Sequence, residues 1–340
     1  MTQLALRFDL RVPPFVETTF AKQHAAMLEM ASWADALGFG QISFSEHHGD
    51  PAGFTSAPLT LAAAVLARTK QIHVRIAAAL APLHDPIRFA EQLATIDNLA
   101  PGRISVVLGA GYRSVEFEMA GVPKAERGAR LEECVEVLRE AWTGEVFSFR
   151  GRDVRVTPTP ATKAGPHLLV GGKTVAGAKR AARLGCGFSP AVGERKVIGA
   201  YFEEAERLGF AEAEVFGCRS LEEFRAQHER ADGLSPPGFV MVSEDPDQTW
   251  REIGPIAEYD ARTYVAWQED GVVSDWAVPG ASTWEDLRAS GRYAVLTPEA
   301  CVALAERDGQ IMLHPLMGGL HPDLAWASLR LFEDQVLGEL

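Results

Sequence analysis

Residues Ile72–Tyr112 read IHVRIAAALAPLHDPIRFAEQLATIDNLAPGRISVVLGAGY. An apolar run, Ile72–Leu80, leads to a segment of helical spacing from Pro86 to Leu99, and then to a second apolar run, Ile104–Leu108. Pro86 suits the first turn of a helix, where its missing N–H would have no partner in any case. Strands that are apolar throughout, joined by an amphipathic helix, describe a parallel sheet covered on its outer face.

The same unit recurs on both sides. Upstream, strands are expected at Leu4–Asp9 and Gln41–Ser45, with helices over Thr18–Leu37 and Pro58–Thr69. Downstream, a helix through Arg130–Trp142 precedes a strand at His167–Val170, a helix at Thr174–Leu184, a short strand at Cys186–Ser189 and a helix at Val197–Leu208. The series closes with a strand at Phe239–Ser243, a helix at Pro246–Trp267, a strand at Ile311–His314 and a helix at Pro322–Leu337. Eight such units predict an α/β fold of the (β/α)8 TIM-barrel type, and 340 residues is an ordinary length for one such domain. One domain is therefore expected over 1–340, with insertions near 143–160, 210–237 and 268–292. The first is read as a hairpin of Phe147–Phe149 and Val154–Val156 joined by RGRD, and the second as carrying a helix over Leu221–Ala231. The third has the length of a lid loop.

A formal charge of −13 opposes encounter with nucleic acid or an anionic membrane surface. It leaves room for a small phosphorylated cofactor, which a local set of backbone N–H groups can hold. Cys134, Cys186, Cys218 and Cys301 are far apart with no CxxC pair, so reduced thiols and a cytoplasmic location are expected. Charge near the N-terminus argues against a signal peptide, and no run approaches the ~20 apolar residues of a membrane span.

In parallel barrels chemistry sits at the C-terminal ends of the strands. After the second strand stand Ser45-Glu46-His47-His48, two imidazoles and a carboxylate that titrate in the range useful for acid–base work. Adjacent side chains on extended backbone point to opposite faces, so one pocket histidine and one packed elsewhere is the alternative to a shared role. No metal is expected, because no strand end carries an HxH or paired carboxylates. The third strand ends in Ala77-Ala78-Ala79, where bare backbone would let a planar ligand approach. The fourth runs into Gly109-Ala110-Gly111-Tyr112. This is not a dinucleotide fingerprint, since Ser114 stands where the third glycine belongs. The fifth leads to Gly171-Gly172-Lys173-Thr174 at a helix N-terminus, either a phosphate seat or a glycine turn with Thr174 as cap. Arg127 and Arg130 can add a cation to that phosphate or pair with Glu132 and Glu133. His314, beside Pro315, is a candidate substrate-lining or packing residue.

Taken in order, SEHH, SAPLTLAAAVLARTKQIHV, PLHDPIRFAEQLATIDNLAPGRISVVLGAGY, RGARLEECVEVLREAW, LLVGGKTVAGAKRAARLGCGF and PLMGGLHPDLAWASLRLFEDQV resemble the luciferase-like monooxygenase family. The resemblance implies a flavin-dependent oxidoreductase in which His47 is the catalytic base, with Glu46 and His48 as supporting or subunit-interface residues and Glu46 also a candidate to line the substrate. It implies a non-prolyl cis peptide at Ala77-Ala78 behind the flavin ring, and Gly109, Ala110 and Gly111 beside the ring or its side chain. It puts Gly172, Lys173 and Thr174 on the phosphate, helped by Arg127, and Tyr112 near the substrate. Bacterial luciferase has a reactive cysteine where this chain has Gly109 and an arginine where it has Ala110, so luminescence is not expected. The implied reaction uses reduced, exchangeable FMN and O2 on a small, mostly apolar molecule, in a homodimer served by a separate NAD(P)H:flavin reductase. The alternatives are a deazaflavin (F420-type) hydride transferase on the same frame, a non-catalytic flavin-binding protein and a metal-dependent barrel hydrolase.

Overall fold

The computed structural model describes residues 2–191, 194–228, 237–268 and 277–340. Its first elements are β1 (Gln3–Phe8), α1 (Phe20–Ala36), β2 (Gln41–Phe44), α2 (Pro58–Arg68), β3 (His73–Leu80), α3 (Pro86–Leu99) and β4 (Ile104–Gly109). Then come α4 (Ser114–Ala120), α5 (Arg127–Ala141), β5 (Phe147–Phe149), β6 (Arg152–Val154), β7 (His167–Gly172), α6 (Val175–Arg183), β8 (Gly187–Pro190), α7 (Arg195–Leu208) and α8 (Leu221–His228). The last are β9 (Phe239–Val242), α9 (Pro246–Ala266), α10 (Trp284–Ala289), β10 (Tyr293–Leu296), α11 (Pro298–Asp308), β11 (Gln310–Leu313) and α12 (Pro322–Gln335). The described residues divide into two compact units, one from 1–56, 64–74 and 235–340, the other from 57–63 and 75–234.

In the first unit β1 lies between β11 and β2, all parallel, with Leu6 opposite both Leu313 and Ile42. The turn that leads into β3 is fastened to the end of α1, where Asp35 accepts the N–H groups of Lys70, Gln71 and Ile72, each at 2.8 Å. β9 and β10 form a parallel pair, and Phe239, Met241, Tyr293 and Val295 from it share a core with Trp250, Ile253 and Leu287. α9 starts behind Asp245, which caps Gln248 N–H, and Pro246. It carries Pro255 in its interior, which removes one backbone donor there. Beyond that proline α9 bears Asp260 and Tyr264, both buried.

In the second unit β7 lies between β4 and β8, again parallel, with Val170 opposite both Leu108 and Phe188. All six residues of β4 are buried, as expected of a strand covered on both faces. α6 packs on α7 and on β7 and β8, and its buried residues Gly177, Ala178, Ala181 and Ala182 are all small. α3 is capped by Asp85, which accepts from Ile87 and Arg88 N–H. The four cysteines are free and buried; burial pushes the thiols of Cys134 and Cys301 up to about 12 and that of Cys186 to about 11.

The alternation of strand and helix follows the expected order, with ends moved by a residue or two, and four differences are informative. The hairpin strand expected at Val154–Val156 is Arg152–Val154, because the turn holds only Arg150 and Gly151, both at positive φ (48° and 74°). Two such residues make the tight turn that antiparallel strands favour. α5 begins at Arg127, so Arg127 belongs to the first helical turn. Ahead of it, Ser114–Ala120 forms α4, where the sequence pattern predicts no helix. Finally, the stretch following 268–292 contains β10 and α11, a unit that the strand–helix pattern does not announce. Its start signal is present: Thr297 caps Ala300 N–H at 3.3 Å and Pro298 opens the helix. The helix expected at Leu221–Ala231 is seen over Leu221–His228; 229–231 lie outside the described residues, as do 269–276 of the third insertion.

The segment that follows the hairpin is held to α3 by two side chains, Asn98, whose Nδ2 donates to Thr159 O at 2.7 Å, and Asp97. Asp97, with no solvent exposure, accepts from Gly102 N–H (3.1 Å), Thr162 N–H (2.7 Å) and Thr162 Oγ1 (2.8 Å). Asp97→Ala removes the partner of two part-buried backbone donors and is expected to lower unfolding stability by about 2 kcal/mol. Urea denaturation followed by circular dichroism measures this.

Candidate active site

In the second unit the run Ala77–Ala79, one residue before the end of β3, carries methyl groups alone. The Ala77-Ala78 peptide is cis, where the family resemblance put such a bond. Ala77 and Ala78 keep part of their surface open although they sit within a strand, whereas Ala79 is buried. Gly109, at the end of β4, stands against them: a Cβ there would meet the Ala78 Cβ at 3.0 Å. Two neighbouring strand ends therefore present almost no side-chain relief, and Ala110 and Gly111 continue that surface, half-buried, as does Tyr112. A low, apolar wall of this kind accepts a flat ring; bulky β-branched residues at the same positions would fill it.

The β7–α6 turn is the second feature. A Cβ on Gly171 would meet Val107 Cγ1 at 3.0 Å, and Gly172 backs onto Gly177 Cα at 3.7 Å. The two glycines bring the strand end close to the start of the helix. Thr174 is the N-cap: its hydroxyl oxygen accepts from Gly177 N–H at 3.1 Å, which leaves the hydroxyl proton to donate elsewhere. The N–H groups of Val175 and Ala176 have no carbonyl to bond within the helix. The helix dipole adds a positive field there, so the donor set matches a small oxyanion. Arg127 Nη1 donates to Lys124 O at 3.3 Å, and Arg130 pairs with Glu126 at 2.9 Å. The first turn of α5 meets α6 through Gly128, whose bare face lies against the Arg180 guanidinium, itself paired with Glu132 at 2.6 Å.

In the first unit His47 follows β2, half-buried, with its ring 5.0 Å from Phe54 and 4.7 Å from Trp267. Those two rings touch each other at 5.7 Å, so the imidazole sits in an aromatic corner. Glu46 is buried and takes His48 Nε2 at 3.1 Å. The two histidines therefore have different surroundings, one aromatic and one carboxylate.

Beneath the corner lies a charged cluster that no motif of the sequence marks out. Asp9 and Arg11, just past β1, and Asp260 of α9 are all buried, Arg11 and Asp9 with no solvent exposure. Arg11 Nη1 donates to Asp260 Oδ1 at 3.0 Å, and the Tyr293 hydroxyl donates to Asp260 Oδ2 at 2.6 Å. Arg7 Nη2 donates to the Tyr264 hydroxyl at 2.9 Å. Burial works against the Arg11 charge, but the carboxylates of Asp260 and Asp9 keep it ionised, above its ordinary range. The one signal in the sequence is the charged FDLR at a strand end, where side chains face the barrel's working surface. His314, past β11, lines a small polar cavity with Arg7, Asp260, Tyr293 and Met317.

With this geometry described, comparison with known proteins identifies the class. Residues 13–295 match the model of the luciferase-like monooxygenases, and the chain belongs to that family. It is 34% identical over 168 residues to the FMNH(2)-dependent dimethylsulfone monooxygenase of Pseudomonas putida, covering 46% of each chain. The chain thus spans about half the length of the curated relatives it matches or less. Among solved structures it is similar to monooxygenase RslO1 from Streptomyces bottropensis (TM-score 0.74, 23% identity, 99% of both chains). It is similar as well to the oxygenating constituent of 3,6-diketocamphane monooxygenase from Pseudomonas putida, solved with FMN (TM-score 0.67, 18% identity, 100% and 99%). An F420-dependent secondary alcohol dehydrogenase aligns equally well (TM-score 0.67, 16% identity, 100% and 99%). These likenesses establish the fold as the luciferase-like α/β barrel. Among the described residues no helix is long and apolar enough to cross a membrane.

His314 carries a consequence for stability. Burial, reinforced by Arg7, holds its imidazole well below the ordinary value of 6.5. It is therefore neutral in the folded chain, and the 3.7 Å approach to Asp9 Oδ2 is no ion pair. The unfolded chain takes up a proton as pH falls through about 6.5 while the folded chain does not. The stabilising contribution is thus complete above that pH and shrinks as acid is added. His314→Gln is expected to flatten the fall in melting temperature between pH 7 and pH 5, read by differential scanning fluorimetry.

Proposed function

We propose that this chain is a flavin-dependent monooxygenase that works with reduced, exchangeable FMN and O2 on a small, mostly apolar organic substrate. The observation that carries this is the bare surface where Ala77, Ala78 and Gly109 meet, with an oxyanion-matching helix start at Thr174 in the same unit. Ala77–Ala79 and Gly109–Gly111 would take the ring. The Gly171–Thr174 turn, Lys173 included, would hold the phosphate, with Arg127 contributing charge. The name of the dimethylsulfone relative supports FMN, as does the FMN complex of the diketocamphane enzyme.

Reduced FMN, when bound, supplies the electrons that activate oxygen. The chain's own residues supply position and proton handling. His47 is the group that would take or return a proton at an imidazole nitrogen, and the rings of Phe54 and Trp267 keep water from its flanks. Glu46 holds His48 and so supports the segment, while Tyr112 and His314 are proposed to border the substrate space. We further propose that residues 1–340 form a single domain, acting in the cytoplasm as a homodimer supplied by a separate NAD(P)H:flavin reductase.

The competing reading, hydride transfer with a deazaflavin, draws on the F420-dependent dehydrogenase of the same fold. Anaerobic titration distinguishes them: reduced FMN is expected to bind saturably with a dissociation constant well under millimolar. Tight binding of F420 with none of FMN would reverse the choice. His47→Ala is expected to retain flavin binding and lose turnover on the order of 100-fold or more. Unchanged turnover would leave His47 a structural residue, and no turnover in the wild type with any substrate panel would favour a flavin-binding role.

A further inference from the structure

Arg11 has no part in the function proposed above, yet it is a cation with no solvent exposure, placed directly behind His47's aromatic corner. Its guanidinium carbon stands 4.8 Å from the centre of the Phe54 ring, 4.9 Å from that of Trp267 and 5.0 Å from that of Tyr264. Two of these rings, Phe54 and Trp267, are the ones that touch the His47 imidazole. Nε and Nη2 of Arg11 have no hydrogen-bond acceptor, and the guanidinium lies among the three rings. Its charge is anchored by two carboxylates. Asp260 Oδ1 accepts from Nη1 at 3.0 Å, and Asp9 Oδ2 lies 3.9 Å from Nε. The anchors are themselves fixed, Asp260 by the Tyr293 hydroxyl and Asp9 by the N–H of Gly318 at 3.0 Å.

We propose that Arg11 is a positioning residue for His47. Its flat cation, pinned by Asp260 and Asp9, clamps Phe54 and Trp267, and those rings hold the imidazole in one orientation. The proposal rests on His47 as the proton-handling group. Two physical points favour it over a purely structural ion pair. A buried ion pair is often no more stabilising than well-packed apolar residues of the same volume, so stability alone is a weak reason for this arrangement. A planar guanidinium can also lie over several rings at once, which a compact ammonium cannot do.

The test uses Arg11→Lys, which keeps the charge and loses the flat contact, and Trp267→Leu, which removes one ring and leaves every ion pair in place. The first readout needs no flavin: the rate at which diethyl pyrocarbonate modifies each histidine of the folded full-length chain, followed by peptide mass spectrometry. Both variants are expected to raise the His47 rate several-fold and to leave the rate at exposed His321 unchanged. The second is turnover with reduced FMN, where kcat is expected to fall on the order of 10- to 100-fold with little change in KM, as for a misplaced catalytic group. Wild-type labelling of His47 in both folded variants overturns the clamp. Because labelling is independent of turnover, failure of the monooxygenase reading and failure of the clamp are told apart. If Arg11→Lys does not fold, Arg11→Met, which keeps an unbranched side chain and loses the flat cation, is read in its place, and wild-type labelling of its His47 overturns the clamp.

Discussion

A guanidinium sealed away from water dictates the arrangement of everything around it. Desolvating Arg11 costs several kcal/mol, and two carboxylates and three aromatic rings offset that cost. Those partners come from distant parts of the sequence: the end of β1, the loop after β2 and the second half of α9. One charge thus links elements that share no local sequence logic. Phe54 and Trp267 are shared between that cation and the His47 corner.

The second unit solves a different problem by omission. Where β3 and β4 end, the chain gives up the branched side chains that normally fill a barrel strand and keeps methyl groups or nothing. Ala77 and Ala78 keep part of their surface open there, while every residue of β4 is buried.

The local signals are legible because they act over a few residues. Pro86 at the start of α3, and Thr174 before the α6 alanines, have the same meaning in the sequence and in the structure, since both act within the first turn of a helix. The bare Ala77–Ala79 run can be read for the same reason: small residues in a strand are conspicuous without knowing their neighbours. β10 escapes a sequence reading because four residues of YAVL between two polar stretches have no periodicity to measure, and α4 because seven residues span barely two turns. The Arg11 cluster is beyond reach for another reason. Asp9, Arg11, Phe54, Asp260, Tyr264, Trp267 and Tyr293 are spread over nearly 300 residues, and only tertiary packing brings them together.

The four sealed thiols bear on endurance. A cysteine attacks oxidants as its thiolate. With Cys134 and Cys301 pushed to about 12 and Cys186 to about 11, almost none of that form exists near neutral pH. A catalyst of the kind proposed would spend its working life beside partly reduced oxygen, leaked whenever electrons and substrate fail to meet. Sulfenic acids and stray crosslinks begin at ionised, accessible sulfur. All four cysteines of this chain are buried, with their thiols pushed above the ordinary value, so none presents sulfur of that kind.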